Sequence, residues 1–520
     1  MKFQVFIIIF GPLLLLNPLV QADFLRQLKR GTRIYPEKPT PSEILLKLDS
    51  YRDLKLISPL IYGVVAPTNG PASPSNTTLL CLCGTEYSTY NWETNSTYDG
   101  TPGKRTFKQL PGATQVGGYI THQIKGYQDR DNAILITIPS LGFVSKKAER
   151  SKKGFQTLSD FYKSKLQKEQ LLSFEPDLKD QMVYQDEFVH WVENKALNQF
   201  RSKIYYKLDY RPDQWPNNFP NLRKEKLRYE ELVQTTVQFS KTIKEMAPET
   251  LVFGPGIEGL RSFKSLQGAP DYFQGYFIDF YLKKLNFESQ KSKRRLLDVL
   301  DIHWTPKGLT KAERIQASRG IWDPDYSFKD HNGVQQKPNL IQRLQTKIDR
   351  YFPNTLIAFS EYDWGGGDDI SGALATADSL GAFGKNGIFA AAMPTESKRA
   401  PFNEIIFELF KNYDQKGSGF GDISFFSTSS NPQSVSIYSS FSPESQDQLT
   451  ALVVNRTSKA KKASLEVVHD HLIKTAEIYT VTSGAPKIKR GNDVSVNSRN
   501  SFSVGLKPYS VNLIRMKSRP

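Results

Sequence analysis

Cysteine is nearly absent from this chain, whose 520 residues include only Cys81 and Cys83. A framework of several disulfides is therefore excluded as the source of its stability. The two cysteines stand two residues apart in an apolar run, and a bond between such near neighbours is strained. We expect two buried free thiols that pack like small hydrophobic side chains. A metal site from these two residues alone is not expected, and the sequence indicates no metal-ligand cluster and no cofactor.

Long hydrophobic runs are also missing, with one exception at the N-terminus. Residues 5–16 are apolar, follow Lys2 and precede a small-residue cleavage site at residues 20–22, which is the pattern of a signal peptide over residues 1–22. The run is short and interrupted by proline and asparagine, so we expect cleavage and not a membrane anchor. The prediction is a secreted or periplasmic protein with no stable membrane insertion after signal cleavage.

Acidic residues are outnumbered, with 53 Asp and Glu against 69 Lys and Arg and a net charge of +16. The excess is spread along the chain and is not gathered in one tail. It indicates either a solvated basic surface or attraction to anionic polymers such as acidic glycans. Nucleic acid is disfavoured as a partner by the predicted export and by the absence of a recognisable nucleic-acid-binding module.

Short apolar runs recur through the first four fifths of the chain, with helical patterns between most of them. Two helices are well marked, over residues 183–200 and 227–247, and the second ends at Pro248. A strand followed by a helix, repeated eight times, predicts an α/β protein with a (β/α)8 TIM barrel. The eight predicted strands cover residues 61–65, 79–83, 133–138, 204–208, 251–254, 299–303, 356–360 and 388–392.

The pattern changes after about residue 412. Short alternating runs separated by serine, asparagine and glycine are typical of an antiparallel β-sandwich. We therefore predict a barrel over residues 57–412 and an appended sandwich over 413–520, with residues 23–56 as an N-terminal segment that could add a strand to the sandwich. The short connection between the domains predicts that they pack together.

One segment, residues 359–367, carries most of the functional information. An apolar run ends abruptly in Glu361, followed by aromatic residues and glycines. A carboxylate at the C-terminal end of a barrel strand lies where active sites form in this fold. A purely structural glutamate at the strand end is the alternative.

Several short segments along the chain form an ordered set. They include Ile57-Ser58-Pro59-Leu60-Ile61-Tyr62-Gly63, Tyr90-Asn91-Trp92-Glu93, Val183-Tyr184-Gln185-Asp186-Glu187, Leu300-Asp301-Ile302-His303-Trp304, Trp322-Asp323-Pro324, Ser360-Glu361-Tyr362 and Phe420-Gly421-Asp422. In this order they resemble glycoside hydrolase family 44, a family of retaining endo-β-glucanases and xyloglucanases, and they cover most of the mature chain. The resemblance implies a barrel plus a β-sandwich, a β-linked polysaccharide as the partner, and Glu361 as the catalytic nucleophile.

The chain departs from the family at the acid/base position. The family's Asn-Glu-Pro after the fourth strand is Tyr210-Arg211-Pro212 here. Arginine cannot give up a proton to a leaving group, and general acid–base catalysis is worth about two to four orders of magnitude. Near the second strand, Cys81 and Glu86 stand where the family carries arginines, so the pocket has changed at several positions.

Replacement acids and sugar-binding residues remain to be identified. Asp213 and Asp209 are candidate acids, with Glu258 a weaker one. A turn or cap role is the alternative for Asp213, and we expect Asp209 to be buried near the strand end. For Arg211 we expect an ion pair, either with Glu361 across the barrel mouth or with an acidic sugar of the substrate. Core packing is the alternative for the tryptophans, holding Glu361 or a place in the core for His303, and bridging of strands for Glu93. The candidates for substrate binding are Trp92, Glu93, Arg211, His303, Trp304, Trp322 and Trp364.

Two functional hypotheses follow. The first is a secreted glycoside hydrolase that acts on a β-linked polysaccharide, an acidic one being an option, by a retaining mechanism with Glu361 as nucleophile. The second is a catalytically inactive relative that binds glycan in its cleft, since the expected acid/base is Arg211.

Overall fold

The computed structural model describes residues 18–28, 31–38, 43–67, 77–112, 115–127, 132–146, 157–196, 203–330, 333–394 and 400–518. Most of the predicted signal segment, residues 1–17, lies outside this part of the chain, so it stays a prediction. Within the described ranges, no helix combines the length and the apolar character that crossing a membrane requires.

Eight parallel strands close into a barrel, which confirms the predicted fold class. The strands are buried on both sides, which is why each appears in the sequence as a continuous apolar run. Every predicted run overlaps one of them. Numbered 1 to 8 in chain order, the barrel strands are Gly63–Val65, Leu79–Leu82, Ala133–Ile138, Lys203–Leu208, Val252–Glu258, Val299–Trp304, Leu356–Tyr362 and Ala390–Pro394.

Helices cover the outside of the barrel. In Leu340–Tyr351 the buried residues recur three or four positions apart, so one face packs on the strands. The first of the two predicted helices begins at Gln185 and continues past Trp191 as a π-helical turn, and its predicted end at residues 197–200 lies outside the described ranges. The second is observed as Tyr229–Met246. The remaining α-helices are Pro18–Arg26, Gly118–Gly126, Trp215–Asn218, Gly259–Ser265, Phe277–Ser292, Lys311–Ala317, Arg319–Trp322, Ile370–Asn386 and Pro401–Lys411.

Short elements decorate the loops at the barrel mouth. A hairpin pairs Ser96–Asp99 with Thr106–Gln109, and a small sheet joins Phe143–Ser145, Phe161–Lys165 and Met182–Tyr184. The hairpin matters for function because it forms one wall of the cleft described below. Other short elements are the pair Phe328–Lys329 and Gln335–Gln336 and the 3₁₀ turns Pro59–Ile61, Thr85–Thr89, Leu158–Asp160, Pro212–Gln214 and Tyr272–Gln274.

A second, mostly antiparallel sheet forms the β-sandwich. Ile44–Asp49 lies inside it, antiparallel to Ile423–Ser429 and parallel to Lys461–Val468. The segment before the barrel therefore supplies a strand to the domain after it. The other strands are Lys55–Leu56, Val435–Ser442, Ser445–Asn455, Ile473–Thr482, Ala485–Arg490, Val494–Ser495, Ser501–Leu506 and Ser510–Ser518.

A buried ion pair fastens the two domains together. Asp378, on the barrel helix Ile370–Asn386, contacts the Arg456 guanidinium of the sandwich, and both side chains are completely buried. Tyr438 OH donates to the same carboxylate at 2.7 Å. A Cβ at Gly381 would lie 2.2 Å from the Tyr438 ring, so only glycine lets the helix approach this closely.

The cysteine prediction was wrong. The structure joins Cys81 and Cys83 in a disulfide, with Cα atoms 5.2 Å apart, which lies inside the usual range. Residues two apart project to the same side of an extended chain, and both cysteines are buried at the end of barrel strand 2. The bond closes only a minimal loop, so it adds little to the stability of the fold.

Candidate active site

Glu361 lies at the C-terminal end of barrel strand 7, in a row with two other polar residues. Strand pairing places Glu258 of strand 5 opposite His303 of strand 6, and His303 opposite Glu361. Residues that pair across parallel strands project to the same side, so all three side chains share one layer at the barrel mouth. The side chains of Glu258 and Glu361 are 23% and 11% exposed, whereas His303 is fully buried.

Arg211 reaches this row from a tight turn after barrel strand 4. Asp209 and Arg211 both have left-handed backbone conformations, with φ of 59° and 47°. The Asp209 carboxylate holds the turn by accepting hydrogen bonds from Ser140 N at 2.6 Å, Tyr210 N at 2.7 Å and Ser88 Oγ at 2.5 Å. Such strain is typical of functional sites and persists only where the surroundings enforce it. Asp209 is therefore a buried anchor of the turn.

The Arg211 guanidinium bridges two carboxylates. Its Nη1 lies 2.7 Å from Glu258 Oε2, and its Nη2 lies 3.2 Å from Glu361 Oε1 and 3.2 Å from Thr305 Oγ1. The other Glu361 oxygen, Oε2, accepts a hydrogen bond from Tyr210 OH at 2.5 Å. The structure thus contains the ion pair between Arg211 and Glu361 that the sequence raised as an alternative. It leaves Glu361 fixed at the strand end.

His303 positions Arg211 and is not itself a partner of Glu361. Arg211 Nε lies 3.2 Å from His303 Nδ1 and can only donate, so Nδ1 carries no proton. Burial, and then the Lys207 and Arg211 cations, hold the pKa of His303 well below its usual range, so the ring is neutral. Nδ1 of His303 and Oε2 of Glu361, 3.6 Å apart, are both acceptors and form no ion pair.

A charged network lies beneath this layer. Lys207 Nζ is 2.9 Å from Asp301 Oδ2 and 2.5 Å from Ser360 Oγ, and all three residues are fully buried. Asp301 also accepts hydrogen bonds from Ser360 N at 3.0 Å and Ser360 Oγ at 2.7 Å. Burial lowers the pKa of Lys207, and the Asp301 carboxylate opposes that shift. Because Ser360 precedes Glu361, the network supports the backbone that carries the carboxylate.

A cleft of about 1000 Å³ opens above these residues. Its floor includes Tyr210, Arg211, Glu258 and Glu361, which brings the predicted nucleophile into a space large enough for several sugar rings. Tyr210 is the one aromatic side chain among the described residues that line the cleft. Charged and amide side chains make up about half of the rest of the lining, namely Glu86, Asp99, Lys104, Lys108, Gln214, Asn217, Asn218 and Lys307.

The candidate replacement acids occupy different environments. Asp213 accepts hydrogen bonds from Ser262 Oγ at 2.7 Å and Gln214 Nε2 at 3.1 Å, and burial raises its pKa, but it is not among the residues that line the cleft. Glu258 does line the cleft. Burial raises the pKa of Glu258, and the Arg211 cation opposes that shift.

The four predicted sugar-binding tryptophans occupy core surroundings, and none is among the described residues that line the cleft. Trp92 stacks on Phe188 with ring centroids 5.7 Å apart, and Trp304 stacks on Phe263 at 6.5 Å. The indole nitrogens of the other two are used inside the protein, with Trp322 donating to Asp378 Oδ2 and Trp364 donating to Ser379 Oγ, both at 2.9 Å.

Glu93 also lies away from the cleft lining. Burial and then repulsion from Asp180 and Glu187 raise the pKa of Glu93 to about 8. Sequence reasoning did not identify Tyr210 or Thr305 as contacts of the site. Tyr210 stands beside Arg211 in the sequence, but only the left-handed turn reveals that both side chains reach Glu361.

The comparisons with known proteins agree with this geometry. A family model described as glycoside hydrolase family 44 matches residues 93–308. Endoglucanase A of Paenibacillus lautus is 28% identical over 513 residues, covering 92% of this chain and 73% of that protein. A Paenibacillus polymyxa xyloglucanase of the same family, whose structure was solved with xyloglucan, is 28% identical with a TM-score of 0.85. The match covers 92% of this chain and 100% of the xyloglucanase chain. A family 44 endoglucanase from Clostridium thermocellum is 26% identical with a TM-score of 0.83, at the same coverage.

The matched segment ends before Glu361, so the family model does not reach the predicted nucleophile. The solved relatives extend over both domains, and the shared barrel and sandwich account for their coverage. Together, the matched residues, the relatives and the common fold show that the chain is similar to proteins of glycoside hydrolase family 44.

Proposed function

We propose that the chain is an exported glycoside hydrolase that cleaves a β-linked polysaccharide in the cleft above Glu361. The observation that carries the proposal is the fixed position of Glu361 on the cleft floor at the end of barrel strand 7. The relatives support the substrate class, since one is named an endoglucanase and another is a xyloglucanase solved with xyloglucan.

The chemistry assigned to Glu361 is nucleophilic attack. One carboxylate oxygen bonds to the anomeric carbon as the glycosidic oxygen leaves, and water then releases the sugar from the glycosyl-enzyme. Tyr210 and Arg211 hold the carboxylate in place for attack, because each donates a hydrogen bond to one of its oxygens. Polar residues such as Asn217 and Asn218 on the cleft wall suit sugar hydroxyl groups.

A second candidate function is glycan binding without turnover. It is favoured by one observation, the occupation of the acid/base position by Arg211, which is ion-paired with Glu361. Without a proton donor, cleavage of an unactivated linkage is slower by about two to four orders of magnitude.

Two measurements on the same polysaccharides separate these functions. The protein and a Glu361→Gln variant are incubated with xyloglucan, mixed-linkage β-glucan, glucomannan and a uronic-acid-containing glycan, and reducing ends and binding heats are recorded. Release of reducing ends that disappears in the variant supports hydrolysis. Equal binding by both proteins with no release supports the second function, and absence of both binding and release contradicts both.

A further inference from the structure

The chemical gap at this site is the missing proton donor, and the described part of the cleft contains a carboxyl group placed to fill it. Of the three candidate acids, Asp209 is committed to the strand 4 turn and Asp213 to hydrogen bonds with Ser262 and Gln214. Only Glu258 among these three lines the cleft.

Glu258 and Glu361 lie in the same layer of the barrel, two strands apart. Neighbouring strands are about 4.8 Å apart, so the two Cα atoms are separated by roughly 10 Å, and both side chains project into the barrel mouth. This arrangement follows from the strand register, which aligns Glu258 with His303 and His303 with Glu361.

The shared contact with Arg211 limits the distance between the carboxyl groups. Glu258 Oε2 is 2.7 Å from Nη1, and Glu361 Oε1 is 3.2 Å from Nη2. The two guanidinium nitrogens are about 2.3 Å apart by covalent geometry, so the two oxygens are at most about 8 Å apart. Glycosidases that work with paired carboxyl groups use separations of about 5–5.5 Å when retaining and about 6.5–9.5 Å when inverting.

The surroundings of Glu258 suit a group that exchanges a proton. Burial raises its pKa, the Arg211 cation and the Thr305 hydrogen bond oppose that shift, and the 23% exposed side chain keeps access to the cleft. Thr305 Oγ1 donates to Oε1 and Arg211 to Oε2, so the carboxylate left after proton transfer is stabilised.

We infer that Glu258 is the general acid and base of this protein and replaces the glutamate that Arg211 displaced. The inference rests on the proposed function and adds a residue to it. In the first step the Glu258 proton moves to the glycosidic oxygen as the bond from that oxygen to the anomeric carbon breaks and Glu361 bonds to that carbon. In the second step Glu258 takes a proton from water, the water oxygen bonds to the anomeric carbon, and the bond to Glu361 breaks. Arg211 is a positioning residue between the two carboxylates.

The test compares Glu258→Gln with the wild-type protein on two substrates that differ in leaving group. On the polysaccharide, which needs a proton donor, the variant should lose about 10²–10⁴-fold in kcat/KM. On a 2,4-dinitrophenyl β-glycoside, whose leaving group needs no proton, the formation of the glycosyl-enzyme should change less than tenfold. Added azide should restore turnover of the variant and yield a β-glycosyl azide, since a small anion needs no base to attack.

Asp213→Asn is the matched control, because it removes a buried carboxylate next to the cleft that has no role in the inferred steps. It should show wild-type rates on both substrates. Wild-type activity of Glu258→Gln on the polysaccharide, or azide rescue in Asp213→Asn, would overturn the inference.

A separate readout distinguishes this failure from failure of the proposed function. Intact mass after incubation with a 2-fluoro dinitrophenyl β-glycoside reports whether Glu361 becomes labelled. If both proteins are labelled and the folded Glu258→Gln variant hydrolyses polysaccharide at the wild-type rate, only the role of Glu258 is overturned. Absence of labelling in both proteins overturns the proposed function and this inference together.

Discussion

Replacement of Lys207 by methionine should destabilise the protein strongly while leaving its shape intact. The two side chains have similar length, so packing is conserved, but the substitution removes the cation that lies 2.9 Å from Asp301 in a fully buried site. Removing one partner of a buried ion pair costs about 3–5 kcal/mol, because the other charge is left uncompensated. Asp301 keeps two hydrogen bonds from Ser360, so we expect a loss near the lower end, about 3 kcal/mol.

The assay is urea unfolding followed by tryptophan fluorescence, with near-ultraviolet circular dichroism to establish that the variant is folded. Two variants control the result. Lys311→Met removes an exposed lysine, 76% accessible, from a surface pair with Asp369 and should change the unfolding free energy by less than about 1 kcal/mol. The double variant Lys207→Met/Asp301→Asn removes the stranded charge and should recover much of the loss.

The result that would refute this reasoning is a Lys207→Met variant no less stable than Lys311→Met. Such a result would mean that the network beneath the site is not an ion pair that supports the Glu361 backbone. A double variant less stable than Lys207→Met would contradict the charge argument in a different way, because the loss would then come from packing.

Three further predictions concern other buried groups. Burial raises the pKa of Glu93 to about 8, whereas the unfolded chain ionises this group near 4.5, so the wild-type protein loses stability as pH rises between those values. In thermal melts, the stability of Glu93→Gln relative to wild type should therefore increase by about 3 kcal/mol between pH 5 and pH 8. The same relative stability at both pH values would contradict this. Asp378→Asn should lower the free energy of unfolding by about 3–5 kcal/mol, measured by calorimetry, because Arg456 stays buried without its counter-ion. A loss below about 1 kcal/mol would show that the domain junction does not depend on this pair. Tyr210→Phe should slow labelling of Glu361 by a 2-fluoro glycoside about 10- to 100-fold, because a hydrogen bond to a charged group is worth about 1.5–3 kcal/mol. Equal labelling rates would show that the 2.5 Å hydrogen bond from Tyr210 OH to Glu361 does not assist attack.

The barrel was predictable because buried parallel strands leave continuous apolar runs in the sequence, and all eight runs overlap observed strands. The resemblance to family 44 was confirmed by the comparisons. The order of strands in the sandwich was not predictable, because the parallel pairing of Ile44–Asp49 with Lys461–Val468 joins segments that are hundreds of residues apart.

The surroundings of individual side chains were harder to predict than the strands. His303 and Trp304 are adjacent at a strand end, and successive side chains on a strand project to opposite faces. His303 therefore lies in the mouth layer, and Trp304 packs outward against Phe263. The contact between Glu258 and Arg211 depends on a register shift between Pro255 and Ile257 and on the left-handed turn at Arg211, neither of which the sequence displays.

The measurement that tests the central claim most directly is covalent trapping of the nucleophile. The protein is incubated with activated 2-fluoro β-glycosides of several sugars, and intact-mass spectrometry with peptide mapping locates any adduct. The account predicts a single adduct on Glu361 that is lost in Glu361→Gln, because the good leaving group removes the need for an acid in the first step. A folded protein that forms no adduct with any of these sugars would contradict it, and Glu361 would then be only the ion-pair partner of Arg211.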